Sequence, residues 1–255
     1  MRRLDCFVTA FLAMMTTQKT AIVTGGGKRV GAGIVAALLS DGWRVVAHVH
    51  HDSDTVPEGA LKVVADLSDA NCVEAIFAAA DGPVELLVNN AARFAWDGFG
   101  EASAEEFDAH MAVNARAPML LIDALAQRHV PGSDALVVTI LDAKLAAPNP
   151  DFLSYTLSKN AAAGLTEVAA RALAGQGIRV NGIAPALILP SGAQDEANYA
   201  RVHALNPLGR GVEVEDVVGA VRFLIAQRAM TGQTLVIDGG QRFMALPRDV
   251  QFLEQ

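Results

Sequence analysis

Residues 20–50 read TAIVTGGGKRVGAGIVAALLSDGWRVVAHVH. Ala21 to Thr24 is a short strand-like run, and Thr24 to Gly33 is rich in glycine. From Gly31 to Ser40 the apolar residues Ile34, Val35, Leu38 and Leu39 share one face of a helix. Arg44 to His50 is strand-like again. A strand, a glycine-rich turn, an amphipathic helix and a second strand make a βαβ unit, whose two strands run parallel through a right-handed crossover. The alternation continues. Leu61 to Ala65 reads as a strand, and Ser68 as the cap of a helix running to about Ala80. Val84 to Val88 is apolar, and Ser103-x-x-Glu106 is a capping box opening a long helix toward Arg128. The strand starting at Leu136, a helix carrying Tyr155, Ile178 to Ile183, a helix from about Glu213 to Gln227, and Thr234 to Ile237 complete the series. The pattern predicts an α/β fold: a Rossmann-type doubly wound parallel sheet with helices on both faces. Residues 19–255 show no repeat, linker or composition break and read as a single domain.

Composition narrows the function. Of 255 residues, 52% are hydrophobic but only 5% aromatic, so the core is built mainly from Ala, Val, Leu and Ile. The net charge of -8 and the lack of a basic run argue against a nucleic-acid partner. Cys6 and Cys72 are too few for a disulfide scaffold or a cysteine zinc site, so no metal is expected and a reducing, cytoplasmic setting is. No stretch is apolar for long enough to span a membrane. Residues 1–18 read as an N-terminal extension. Met1-Arg2-Arg3 and the apolar run Cys6 to Met15 loosely imitate a secretory signal, but Asp5 and the missing small-x-small cleavage site speak against one. Translation starting at Met14 or Met15 would make the segment optional.

The turn Thr24–Gly33 sits where a first βα unit receives a phosphate. Its glycines let the backbone turn tightly and bring an anion to free N–H groups at the helix N-terminus. Lys28 and Arg29 in the loop are either solvated or counter-charges to a pyrophosphate. The tip of the second strand reads His48-Val49-His50-His51-Asp52-Ser53. An acidic residue at such a tip bonds the ribose hydroxyls of NAD, whereas cationic groups accommodate the extra phosphate of NADP. His50, His51 and Ser53 can donate to a phosphate and Arg29 can reach it, which favours NADP(H); Asp52 points the other way. The bland alternative is a pair of exposed histidines.

Further along, Leu136 to Lys159 reads LVVTILDAKLAAPNPDFLSYTLSK. A buried strand runs to Asp142, a proline-containing loop follows, and Tyr155 and Lys159 stand one helical turn apart. A tyrosine titrates near pKa ~10, and a neighbouring ammonium favours its phenolate. Tyr155, Lys159 and Asp142 are therefore expected to form a proton donor tuned toward neutral pH. An ordinary surface Tyr and Lys is the alternative.

Together these pieces resemble the short-chain dehydrogenase/reductase family over nearly everything after residue 20. The resemblance rests on TGGGKRVG, Ala65-Asp66-Leu67, Asn89-Asn90-Ala91, Asn114, the Tyr155/Lys159 pair, Arg179-Val180-Asn181, and Thr231-Gly232-Gln233 through Asp238-Gly239-Gly240. Within that family the chain is most similar to the pteridine reductases. Arg29 stands where most members carry glycine, Asp142 replaces the catalytic serine, and Phe94 follows the Asn-Asn-Ala motif.

The resemblance implies Asp142, Tyr155, Lys159 and Asn114 as the catalytic set, with Asn114 kinking its helix and ordering a water. It implies NADPH held by Gly25, Lys28, Arg29, Val30, His50, His51, Ser53, Asp66, Leu67, Asn89, Ala91, Lys159 and Pro185. The substrate would lie among Arg29, Phe94, Asp142 and Tyr155, with Phe94 stacked on a pterin. Ala186 and Ala92 depart from the family pattern and bear on which substrate enters. Leu187 to Leu208 reads as a mobile substrate lid. Reduction of a ketone or 3-oxoacyl thioester, or a non-catalytic NADP-binding sensor, are the competing readings. The family also implies a homodimer or homotetramer, built on the helices of Glu106 and Ser158.

Overall fold

The structure, a computed structural model, describes residues 18–190 and 196–253. Apart from Gln18, the expected N-terminal extension lies outside the described residues, as do residues 191–195 of the expected lid. Seven strands form one sheet in the order β3-β2-β1-β4-β5-β6-β7. They are β1 (Thr20–Val23), β2 (Arg44–Val49), β3 (Leu61–Val64), β4 (Leu86–Asn89), β5 (Ala135–Ile140), β6 (Ile178–Pro185) and β7 (Thr234–Ile237), and every pairing is parallel. The helices are α1 (Arg29–Ser40), α2 (Cys72–Ala78), α3 (Ala104–Met111), α4 (Ala117–Arg128), α5 (Leu153–Leu173), α6 (Glu196–His203) and α7 (Val214–Ala226). None of them is long and apolar enough to cross a membrane.

The apolar run in β5 needs both faces covered, and all six of its residues are buried. Val137 packs into a core with Val73 and Ile76 of α2, Leu121 and Leu125 of α4, and Ala169 of α5. Leu136 and Val138 face the other way, toward Ile34 and Leu38 of α1 and Val217 and Leu224 of α7. Full burial of each such Val, Leu or Ile contributes about 1.5–3 kcal/mol, so two apolar layers lock the sheet between helices.

Three sets of side-chain bonds tie the strands to their neighbours. Thr24 Oγ1 accepts the backbone N–H of Asn90 (3.0 Å) and Ala91 (3.1 Å), while Asn90 Nδ2 donates to the Thr24 carbonyl at 2.9 Å. These bonds clamp the ends of β1 and β4, where the strand order reverses and a crevice opens. Arg179, although buried, donates to the Leu224 (2.9 Å) and Gln227 (3.1 Å) carbonyls and so satisfies the end of α7. Asn181 ties β6 to the approach to β7 by donating to the Met230 carbonyl and accepting from Gln233 N–H.

Two local expectations are revised. Ser68 caps no helix: its N–H donates to Asp66 Oδ1 (2.8 Å), a turn follows, and α2 starts only at Cys72. The aspartate's local bond outcompetes early helix formation. Ser103 caps α3, accepting Glu106 N–H at 3.1 Å, but the Glu106 carboxylate is engaged by Arg93 rather than returning to the cap. The long helix from there is broken at Ala112–Arg116 by a π-helical turn centred on Asn114.

At the first turn of α1, a Cβ on Gly31 would land on the Gly25 carbonyl oxygen and the Asn90 amide. Gly31→Ala should cost about 2–3 kcal/mol by overpacking this junction, read as a lower urea midpoint. An unchanged midpoint would show that the turn has slack.

Candidate active site

A cavity of about 890 Å³ opens along the C-terminal ends of the strands. One end is formed by the glycine turn and the tip of β2, the other by Asp142, Tyr155 and the chain's last described segment.

At the first end, Gly25 lies at φ +63° and Arg29 at φ +54°. The α1 N-terminus has no side-chain cap and no acidic residue in its first turn, so its free N–H groups and dipole face the cavity uncompensated. That is a fit for a phosphate-bearing nucleotide. Gly25, Val30, His50, His51, Asp66, Leu67 and Ala91 line this part, with Pro185 and Lys159 farther in.

Several side chains sit otherwise than expected. Lys28 is ion-paired with Asp54. Arg29 extends to the carbonyls of Leu189 (3.3 Å) and Pro190 (3.1 Å), toward the expected lid and not the β2 tip. Ser53 is exposed in the turn after β2 and is no part of the wall. Asp52, which argued for NAD, turns outward with its side chain 98% exposed, 3.5 Å from Lys62. Asn89 is buried under the sheet's end and does not line the cavity; its amide, like Thr139 Oγ1 beside it in register, has no partner among the described residues.

His48 escaped the sequence reading. Its Nδ1 accepts Gly25 N–H at 3.2 Å and its Nε2 donates to the Ala65 carbonyl at 3.0 Å. Burial pushes its pKa below the usual imidazole range, which keeps it neutral and the tautomer fixed. It therefore splices the glycine turn to the end of β3. A histidine at an inward-facing strand position was the available signal.

At the second end, Tyr155 Oη donates to Asp142 Oδ2 at 2.8 Å. Asp142 ends the β5 run and caps the short 3₁₀ turn Ala143–Ala146, its Oδ1 accepting Lys144 N–H at 2.8 Å. Lys159, buried one turn after Tyr155, donates to the Ile140 carbonyl at 2.7 Å, its ammonium 5.6 Å from the Tyr155 ring centroid. Asn114 lies behind the wall, donating to the Arg93 carbonyl (3.0 Å) and Ser158 Oγ (2.9 Å) and accepting Arg93 N–H (2.7 Å). Its side chain braces the site from beneath. Phe94 stacks on Phe152 with centroids 4.4 Å apart and meets Tyr155 edge-on at 4.8 Å. It is 41% exposed and lines the cavity. Among the described residues no cluster of His, Cys, Asp or Glu could hold a metal.

The electrostatics correct one expectation. The net shift of the phenol is upward, against the lowering expected from Lys159. Burial, then the Asp142 carboxylate, raise Tyr155 well above the usual phenol range. Lys159 is itself lowered to about 8 by burial, only partly offset by Asp142. Desolvation dominates both groups. A phenol facing a carboxylate keeps its proton, because ionisation would set two anions together.

Membership follows from comparison with known proteins. A family model described as Enoyl-(Acyl carrier protein) reductase matches residues 27–242. The chain belongs to the short-chain dehydrogenase/reductase family. The human L-xylulose reductase is 36% identical over 239 residues, covering 87% of this chain and 96% of that protein. Pteridine reductase 1 of Leishmania tarentolae is 32% identical over 288 residues, covering 89% and 98%. Among solved structures, FolM alternative dihydrofolate reductase 1 from Brucella suis in complex with NADP superposes with a TM-score of 0.77 at 34% identity, covering 88% of this chain and 95% of that one.

A lysine held charged where its pKa has fallen from 10.5 to about 8 opposes folding at pH 7 by roughly 3 kcal/mol. The opposition is full below pH 8 and vanishes as pH rises toward the unfolded value. Lys159→Met forfeits the Ile140 contact yet should still raise Tm by about 2–4 °C at pH 7. The gain should shrink between pH 8 and 10.5, as differential scanning calorimetry would record. A lower Tm at every pH would mean that the ammonium is stabilised and not trapped.

Proposed function

We propose that this short-chain reductase transfers hydride from NADPH to a C=N bond of a dihydropterin. It is an oxidoreductase that uses NADP(H). The observation that carries the pterin reading is the hydrogen bond from Tyr155 to a carboxylate, Asp142, where a ketone reductase has a hydroxyl. A ketone's developing alkoxide needs donors, and a carboxylate beside it would be repulsive. A pterin presents ring N–H and amino groups, which a carboxylate can accept. The name of the Leishmania relative and that of the Brucella structure point the same way.

When bound, NADPH supplies the hydride. The free N–H groups at the start of α1, with Gly25 and Val30, would hold its pyrophosphate. His50 and His51 would face the ribose phosphate, with Lys28 near at hand although shared with Asp54. Asp66 and Leu67 would flank the adenine, Ala91 and Pro185 the rest of the nucleotide, and Lys159 the nicotinamide ribose. Phe94 offers an aromatic surface to a flat heterocycle beside Tyr155. Tyr155, kept protonated, rotates its O–H from Asp142 to the substrate's ring nitrogen and gives up the proton there. Asp142, thereby released, accepts a substrate N–H. Lys159 then stands close enough to favour the phenolate left behind.

The alternative is reduction of a ketone, which the 36% identity to L-xylulose reductase keeps in view. A pure NADP-binding sensor would have no use for a phenol, carboxylate and ammonium gathered at one cavity wall. Exposed Phe107, Met119, Leu157 and Val168 on α3, α4 and α5 support assembly into dimers or tetramers.

The deciding assay follows NADPH oxidation with dihydropterins, ketones and 3-oxoacyl thioesters in parallel. Turnover should be confined to the pterins, and preference for a ketone or thioester would reverse the proposal. Tyr155→Phe should lower kcat by at least about 100-fold, with the NADPH Kd within about twofold of wild type because the phenol contacts no phosphate. Retention of wild-type kcat would remove Tyr155 from the chemistry.

A further inference from the structure

The segment after Gly240 returns to the cavity. Its single-turn 3₁₀ elements, Gln241–Met244 and Val250–Phe252, bracket Asp249, which lines the same wall as Asp142 and Tyr155. The segment is tied down at several points. Arg248 grips the buried Asp151 through three contacts of 3.0, 2.9 and 2.7 Å. Asp249 N–H donates to Asp151 Oδ2 at 2.8 Å. Phe252 stacks on Phe152, centroids 5.9 Å apart, and Arg201 donates to the Leu253 carbonyl at 2.9 Å. Phe152 is also the ring on which Phe94 stacks, so the segment and the site share one aromatic column.

The Asp249 side chain is only 17% exposed. One oxygen accepts Gln251 N–H at 3.2 Å. The other lies 3.6 Å from Lys144 Nζ, a charge contact too long for a hydrogen bond. Lys144 is 8% exposed, donates to the Asp151 carbonyl, and lines the cavity. By contrast, both oxygens of Asp142 are already engaged, by Tyr155 and by Lys144 N–H. Asp249 is therefore a second carboxylate acceptor at this end beside Asp142. One Asp249 oxygen takes no hydrogen bond from the described residues, and a buried ammonium lies beside it.

We propose that Asp249 and Lys144 recognise the substrate's amino-pyrimidine edge, the carboxylate accepting from its amino and ring N–H groups and the ammonium donating to its exocyclic oxo oxygen. The inference rests on the pterin reading above and deepens it. The ligand class is a fused 2-amino-4-oxo heterocycle, and the chain's own C-terminal segment selects it. A plain ketone has no N–H group for Asp249. Desolvation of Asp249 raises its pKa above the usual carboxylate range, and Lys144 lowers it against the further pull of Asp142 and Asp151. Substrate affinity should accordingly weaken as acidification protonates Asp249.

The test is steady-state kinetics on Asp249→Asn with dihydrobiopterin, alongside NADPH binding by fluorescence. Loss of a charged hydrogen bond predicts a KM higher by about 10- to 100-fold, with kcat within about threefold and NADPH Kd unchanged. The acid-side rise in KM seen for wild type should flatten in the variant. If Asp249→Asn does not fold, Lys144→Gln must show the same KM rise. An unchanged KM in a folded variant that still turns over dihydrobiopterin overturns this inference alone. A fall confined to kcat overturns it as well. Wild-type protein that neither binds nor reduces any dihydropterin overturns the pterin reading and this inference together.

Discussion

The burial of a phenol against a carboxylate is the constraint that the proposed chemistry depends on. Tyr155 and Asp142 meet because β5 ends where α5 begins its first turn, across the loop that carries Phe152 at φ +55°. Asp142 is fixed from its other side by the Lys144 N–H it caps, so it cannot drift toward solvent. Lys159 is fixed by the Ile140 carbonyl, the last of the same strand. All three groups thus take their positions from one strand end and one helix start. Asn114 and Ser158 brace that helix from beneath: Ser158 Oγ donates to the Tyr155 carbonyl at 2.7 Å and accepts from Asn114. A rigid sheet buried on both faces is what allows such placement.

Much of this was legible from the chain. A parallel α/β sheet follows from the alternation of apolar strands with 3.6-period helices, and β7 spans the expected residues. Tyr155 and Lys159 share a face because helical geometry puts them there. Misjudged residues depended on contacts between distant segments or on competition among short-range bonds. Arg29 does line the cavity, but its reach to Leu189 and Pro190, which spans most of the chain, could not be read from its place in the loop. Ser53 belonged to a plausible cluster, and only the course of the turn after β2 sets it outside the wall. His48 was invisible as a splice because its partners, Gly25 and Ala65, come from two other elements. The stretch after Gly240 carries no periodicity at all. Its role appears only once Arg248 finds Asp151 across the fold.

Charge distribution separates the two ends of the cavity. At the nucleotide end, α1 offers an uncapped N-terminus, and the two histidines lie near Asp66, with His50 Nδ1 4.0 Å from its carboxylate. At the other end, Asp142 and Asp249 face the cavity beside the ammonium groups of Lys144 and Lys159, with Asp151 packed behind and held by Arg248. Carboxylates and cations there balance, so a neutral heterocycle carrying both N–H donors and an oxo acceptor meets a partner for each.

Protonation states then indicate a direction. Tyr155 lies well above the ordinary phenol range because burial and Asp142 both oppose its anion. A group that holds its proton at neutral pH is ready to give one to a nitrogen made basic by hydride addition, but it is a poor base for removing one. Oxidation would start from the phenolate, the state that this environment penalises most. Lys159, lowered to about 8, remains mostly charged at pH 7 and can compensate the phenolate once the proton has left. In the proposed reaction the resting site is therefore arranged for reduction. The cost of forming the anion would be met only after Tyr155 turns from Asp142 to a substrate able to take its proton.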